Sequence, residues 1–206
     1  MDNKSRYISL LSSVSREGIN ELIAYLENTD FFIAPASTKY HLNKEGGLCE
    51  HSLNVYDNMI KLRDMYLPKL SDETVIVVSL LHDISKIDFY ETFIKNEKVY
   101  SASGSKSDDL GHFDWVSSKK YKIKDPSNRE FICGDHGVNS CIMAMKYINL
   151  TTSEQSAIIN HHAGMGSSEP IQDLGEAMNR YPALTLLHVA DLLSCYFNEN
   201  EYMIDE

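Results

Sequence analysis

The sequence is poor in positive charge. Lys and Arg total 19 against 30 Asp and Glu, so the formal net charge is −11. That deficit argues against broad electrostatic binding to nucleic acid or to an anionic membrane, though not against a local basic pocket or bound cations. Cysteine is scarce as well. Cys49, Cys133, Cys141 and Cys195 form no CxxC pair and lie far apart, which predicts reduced, mostly buried thiols in a cytoplasmic protein. No stretch approaches the ~18 apolar residues of a membrane span, and the opening MDNKSRYISLLSSVSREG has no apolar run of signal-peptide length. Internal repeats and low-complexity linkers are missing too. What is present is ordinary for a folded chain: 206 residues, 43% hydrophobic and 24% charged, enough for one domain with a substantial core.

The pattern along the chain is helical, interrupted once. REGINELIAYLEN over 16–28 spaces Ile19, Leu22, Ile23 and Leu26 as one helical face, with Ser15 as its N-cap. Pro35 and the Gly46-Gly47 pair make 31–48 a loop. A helix follows from about Glu50 to Met65. SDET at Ser71 supplies a cap and an acidic first turn, and the body VIVVSLLHDISKI is apolar on nearly every side, which predicts a central helix. Residues 92–132 change character, and alternations such as YKIKD read as a β-hairpin or an ordered loop. Helix resumes near Val138. Thr151 and Glu154 form a capping box for a helix running into His161 and His162, and Tyr181-Pro182 opens the last helix, ALTLLHVADLLSCYF. The expected fold class is all-α, a single helical-bundle domain over 1–206 with one non-helical insertion near 92–132.

Eight histidines are present. His82-Asp83 falls in one apolar helical segment and Asp191 in another, LTLLHVADLLSCY. A carboxylate in such a place costs several kcal/mol, roughly, unless it is paired or bound to a cation. Imidazole and carboxylate ligands on separate helices are how helical bundles hold divalent metals. A buried ion-pair cluster is the plainer account of the same residues.

His51 in GGLCEHSLNVYDNM, then His82-Asp83 in LLHDISKI, then Asp191 in LLHVADLLS, resemble the HD superfamily of metal-dependent phosphohydrolases over residues 35–197. Four candidate ligands in order, each in its usual context, make a specific motif. GDHGVNSC with His136, and INHHAG with His161-His162, are similar to the HD proteins that hold a second metal, including the HD-GYP phosphodiesterases and bacterial HD exoribonucleases. The chain lacks the GYP tripeptide, having AGMGSSEP there, and has no room for the exonucleases' OB domain. It most resembles small stand-alone bacterial and phage HD proteins.

The resemblance implies a helical HD bundle with one or two divalent ions, the choice among Mn, Fe, Mg, Co, Ni and Zn being open. His51, His82, Asp83 and Asp191 would hold the first, and Asp83, His136 and His161 or His162 the second. Metal-activated hydroxide would then attack phosphorus. Lys86 would steady phosphoryl oxygens, Lys39 and His41 would approach substrate, and His162 or His41 would assist the leaving oxygen. The implied substrate is a nucleotide or small cyclic nucleotide, not a nucleic-acid polymer. The same ligands also admit a di-iron oxygenase or a non-catalytic metal- or nucleotide-binding sensor. Plainer roles exist residue by residue: His136 as a helix cap, His161-His162 against a helix dipole, Lys86 as a solvated cation. His188 reads as a core histidine bonding a carbonyl or carboxylate, His112 as surface, and Tyr100, Phe113, Trp115 and Tyr121 as a small core under a loop.

Overall fold

The computed structural model describes residues 1–38, 41–129, 135–162 and 173–199. Helices α1 (Asn3–Ser12), α2 (Ile19–Glu27), α3 (Gly47–Tyr66) and α4 (Asp72–Leu81) precede a three-stranded sheet, β1 (Tyr90–Tyr100), β2 (Lys106–Asp108) and β3 (Gly111–Ile123). Helices α5 (His136–Met145), α6 (Thr152–Asn160), α7 (Leu174–Arg180) and α8 (Pro182–Leu193) follow. Among the described residues no helix is long and apolar enough to cross a membrane.

The expected central helix is α4. Ser71 caps it by accepting from the Thr74 amide, and every residue from Val75 to Leu81 is buried. It packs against α1, α3, α5, α6 and α8, so each side meets protein. Helix α1 was not anticipated. Its stretch NKSRYISLLS is mostly polar and buries only Tyr7 and Leu11, four residues apart on one face. The Tyr7 hydroxyl donates to the Leu80 carbonyl at 2.6 Å, tying α1 to α4. Helix α2 begins later than its periodicity suggests. Gly18, at φ +85°, precedes it in place of a Ser15 cap, and the Ser15 amide instead donates to Glu73.

The Gly46-Gly47 pair does more than break the chain. Gly46 is left-handed at φ +75°, and a Cβ on Gly47 would lie 2.2 Å from the Leu42 carbonyl oxygen. Only glycine lets the 31–46 loop close on the start of α3, where the Leu48 amide donates to the Ala34 carbonyl at 3.0 Å.

The insertion is a sheet, so all-α holds for the bundle but not for the whole chain. Strand order is β1-β3-β2, antiparallel, with Tyr90 opposite Ile123 and Tyr100 opposite Phe113. Within the stretch expected to be non-helical, near 92–132, the strands begin at Tyr90 and end at Ile123, and residues 130–132 lie outside the described residues. Along β1 and β3 only Tyr90 and Phe113 are buried. The aromatic cluster is partial: Phe113 is covered by Tyr100, Trp115 and the Lys98 ammonium, while Trp115 stays half exposed. His112 is exposed, as expected. The sheet's base is fixed where the Tyr90 hydroxyl donates to the Ala36 carbonyl at 3.1 Å.

The expected capping box at Thr151 and Glu154 is present, but Glu154 does a second job. Its fully buried carboxylate takes the Arg16 guanidinium at 2.7 and 2.9 Å and the Thr74 hydroxyl at 3.0 Å, joining the α1–α2 link, α4 and α6. Burial opposes its ionisation, yet Arg16, the Thr151 amide and Thr74 outweigh that and hold its pKa below the usual 4.5. Its stabilising contribution is therefore full above that usual value and is lost as pH falls through the lower folded value. Removing the guanidinium strands a buried charge. Arg16→Ala should cost about 3–5 kcal/mol of unfolding free energy in urea titrations at neutral pH, and the deficit should shrink on acidification. A pH-independent loss would mean that the guanidinium acts by packing alone.

Candidate metal centre

His51 lies in α3 and is buried. His82 and Asp83 were expected inside a helix. Instead α4 stops at Leu81, His82 is its C-cap, and Asp83 leaves helical geometry at φ −118°, ψ 12° before a 3-10 turn over Ile84–Lys86. Neighbours within a helix point in different directions. The break lets both side chains reach one place, with His82 Nε2 3.4 Å from Asp83 Oδ2. Asp191 enters from α8, its Oδ1 3.1 Å from His51 Nε2. His51 Nε2 lies 3.2 Å from His82 Nε2 and 3.6 Å from Asp83 Oδ2.

A second group meets the other oxygen of Asp83. His136 Nε2 and His161 Nε2 lie 3.8 and 3.7 Å from Asp83 Oδ1 and 3.2 Å from each other. His162 Nε2 is 3.4 Å from Asp191 Oδ2, and its ring is 4.7 Å from those of both His136 and His161. His136 is not the cap of α5; Asp135 is, accepting from the Val138 amide, which leaves the imidazole free to turn inward.

Hydrogen bonds fix the tautomers. His82 Nδ1 donates to the Ser79 carbonyl at 2.8 Å and His161 Nδ1 to the Ile158 carbonyl at 2.7 Å. His51 Nδ1 sits 3.0 and 3.1 Å from the two oxygens of Glu199 and donates to that carboxylate. Once deprotonated at Nε2, each of these rings presents a lone pair to the cluster, the outer-shell arrangement of metal-binding histidines. His188 Nδ1 donates to the His161 carbonyl at 2.6 Å, a core role as its position suggested.

Nothing in the sequence marked Glu199. Helix α8 passes into a π turn over Ser194–Asn198 rather than continuing as the regular helix expected. Asn58 secures that turn by donating to Ser194 Oγ and Asn198 Oδ1 at 2.9 and 2.7 Å. Lys86 is not solvated. Its ammonium lies 2.7 Å from Asp83 Oδ2. His41 is half-buried beside the first group, ring centroid 4.9 Å from His51. Lys39 lies outside the described residues.

A profile of the HD domain matches residues 48–195. The chain belongs to the HD-domain superfamily of metal-dependent phosphohydrolases. Comparison with curated proteins and with solved structures returned no match. HD domains bind divalent metals, and the residues of this HD chain fit such ions. Asp83 Oδ1 is buried with no hydrogen-bond partner. A cation bonded to nitrogen and oxygen ligands at about 2.0–2.2 Å sets those ligands about 3.0–3.6 Å apart, close to the spacings above. Sets drawn from His51, His82 and Asp191, from His82, Asp83 and His161, and from His136, His161 and His162 each bring their ligand atoms within 4.8 Å of one another.

Without a cation, charge is balanced by protons and Lys86. Burial disfavours an imidazolium at His51, but hydrogen bonds to Asp191 and Glu199 outweigh it and push its pKa up to about 10. Burial alone would raise Asp83, yet Lys86, His82 and His161 hold it well below the carboxylate range. Burial draws His136 down to about 4 and His162 to about 3, so both are neutral near pH 7. A cation at His51 Nε2 must expel a proton held across the neutral range. Mn2+ affinity should therefore rise by at least about tenfold per pH unit between about pH 6 and pH 8 in calorimetric titrations. A flat profile would place the cation away from His51.

Proposed function

We propose that this chain hydrolyses a phosphate ester of a nucleotide or small cyclic nucleotide, using one or two divalent cations held by His51, His82, Asp83, His136, Asp191 and either His161 or His162. The observation that carries the reading is the Asp83 carboxylate, one oxygen turned to the His51–His82 group and the other, unpaired and buried, to the His136–His161 group. Such ions supply Lewis acidity and draw the pKa of water toward neutrality.

The chain's own groups divide the remaining work. Lys86 carries the positive charge nearest the bridging carboxylate, suited to phosphoryl oxygens that gain charge as the ester bond breaks. His136 and His162, with side chains about a third exposed at 34% and 35%, face the route by which substrate arrives, whereas His51 and His82 are sealed. His162 is the candidate to hold a proton for the leaving oxygen, with His41 the second candidate. Its depressed pKa means that substrate phosphate must first raise it.

A phosphate-release screen across nucleotides and cyclic nucleotides, with Mn, Mg, Co, Ni, Fe or Zn, tests the reading. His82→Ala and Asp83→Asn should lose both bound metal and turnover. Lys86→Met should keep the metal and lose about 10²-fold in kcat. Turnover retained in His82→Ala and Asp83→Asn would refute the mechanism. Oxygen consumption by a mixed-valence iron form would replace it with oxygenation, and tight nucleotide binding without release would replace it with sensing.

The sheet is the candidate cover for the site, since Tyr90 at its base lies beside the loop that carries His41. Replacing 92–122 by a short turn should broaden the range of substrates hydrolysed at unchanged metal content. Identical kinetics across the panel would assign the sheet another task.

A further inference from the structure

One cluster of ligating atoms is left over. His41 Nε2 lies 3.6 Å from Cys195 Sγ and 3.8 Å from Glu199 Oε2. These three side chains and His51 bring their ligand atoms within 4.8 Å of one another. They come from the loop before α3, from the π turn and from the residue after it, so the assembly depends on the tertiary fold. Glu199 is fully buried by side chain and His41 only 13% exposed. Among the described residues the ion-pair partners of Glu199 are histidines alone, with no Lys or Arg. A sealed carboxylate grouped with an imidazole and a thiol is a donor set that suits a borderline-soft divalent cation.

The two oxygens of Glu199 are also unequally engaged. His51 Nδ1 lies within reach of both, at 3.0 and 3.1 Å, but Oε1 also accepts from Asn54 Nδ2 at 2.9 Å, while Oε2 is the one turned to His41. With Asn54 holding Oε1, the carboxylate can keep His51 oriented through that oxygen while Oε2 turns to an ion.

We propose that His41 Nε2, Cys195 Sγ and Glu199 Oε2 form a further cation site, selective for Zn2+ or Co2+ over Mg2+, beside the first group, where the Cys195 thiol also donates to Asp191 Oδ1 at 3.5 Å. Nitrogen, oxygen and sulfur at these separations suit a tetrahedral ion, with Zn–N near 2.0–2.1 Å and Zn–S near 2.3 Å, approximately. A thiolate selects against Mg2+. Three protein ligands leave one position open, as in catalytic rather than structural zinc sites. On binding, the Cys195 thiol gives its proton to buffer and the sulfur forms the bond to the ion. The site shares no ligating atom with the Asp83 groups, though it touches them at Asp191, and its thiolate band is read independently of turnover.

The full chain loaded with Co2+ should show a near-ultraviolet thiolate-to-cobalt charge-transfer band. Cys195→Ser should abolish that band and His41→Ala should weaken or abolish it, and each should bind one equivalent of Zn2+ fewer than the wild-type chain by dialysis and elemental analysis. Asp83→Asn, which disrupts the other groups, should keep the band. A band retained in a protein with no phosphatase activity would keep this site while removing the hydrolase. Absence of the band, its persistence in Cys195→Ser, or equal Zn2+ content in wild type, Cys195→Ser and His41→Ala would overturn the proposal.

Discussion

A carboxylate with no access to water and one oxygen without a partner is the constraint around which this molecule is arranged. Asp83 ends the most deeply buried helix of the bundle, where the solvation lost by an anion amounts to several kcal/mol, roughly, and must be recovered locally. Lys86 recovers part of it at Oδ2. At Oδ1 no donor comes within hydrogen-bond range: the ring nitrogens of His161 and His136 stand 3.7 and 3.8 Å away. A core of ordinary design would put a donor there. An anionic oxygen ringed by imidazoles just beyond hydrogen-bond range is a place for positive charge, whether a ring proton or a cation.

Two breaks in regular helix create the arrangement. The stop at Leu81 turns His82 and Asp83 to a common point, and the π turn after Leu193 brings Glu199 back against His51. Both breaks are held in place by side-chain bonds: the Ser85 amide and hydroxyl reach Ser140 Oγ and the His136 carbonyl, and Asn58 grips Ser194 and Asn198. Departures from helical hydrogen bonding commonly sit beside functional groups. Here each reorients a residue whose side chain a continuing helix would aim elsewhere.

The sequence carried the long periodic features and lost the irregular ones. Ser71, Thr151 and Pro182 announce their helices because capping is local chemistry, readable over four residues. The conflict between apolar context and charge exposes Asp83 and Asp191, and the structure brings their side chains to the same cluster as His51, His82 and His161. Helix α1 escaped notice because two buried residues among polar ones give almost no period. The break at Leu81 escaped because apolar composition runs on through Ile84 and Ile87. Glu199 and Cys195 were invisible as neighbours of His41 for a different reason: their proximity depends on a π turn, and no local pattern in SCYFN encodes one. The alternative of a solvated Lys86 rested on a lysine at a helix end usually reaching outward; here its ammonium meets a buried carboxylate three residues back.

The graded burial of the histidines has a consequence for how such a centre works. His51 and His82 are sealed and anchored by Glu199 and by the Ser79 carbonyl, so the geometry they impose on an ion is set before anything binds. His136 and His162 lie at the rim with no anchoring bond of that kind among the described contacts of their rings, and burial keeps them neutral. One side of the cluster is thus anchored from outside by a carboxylate and a carbonyl, while the other meets solvent at 34% and 35% side-chain exposure. The sealed histidines set the positions of their own Nε2 atoms through bonds made on the opposite edge of each ring, so the geometry of the inner group is a property of the fold and not of what enters from the rim.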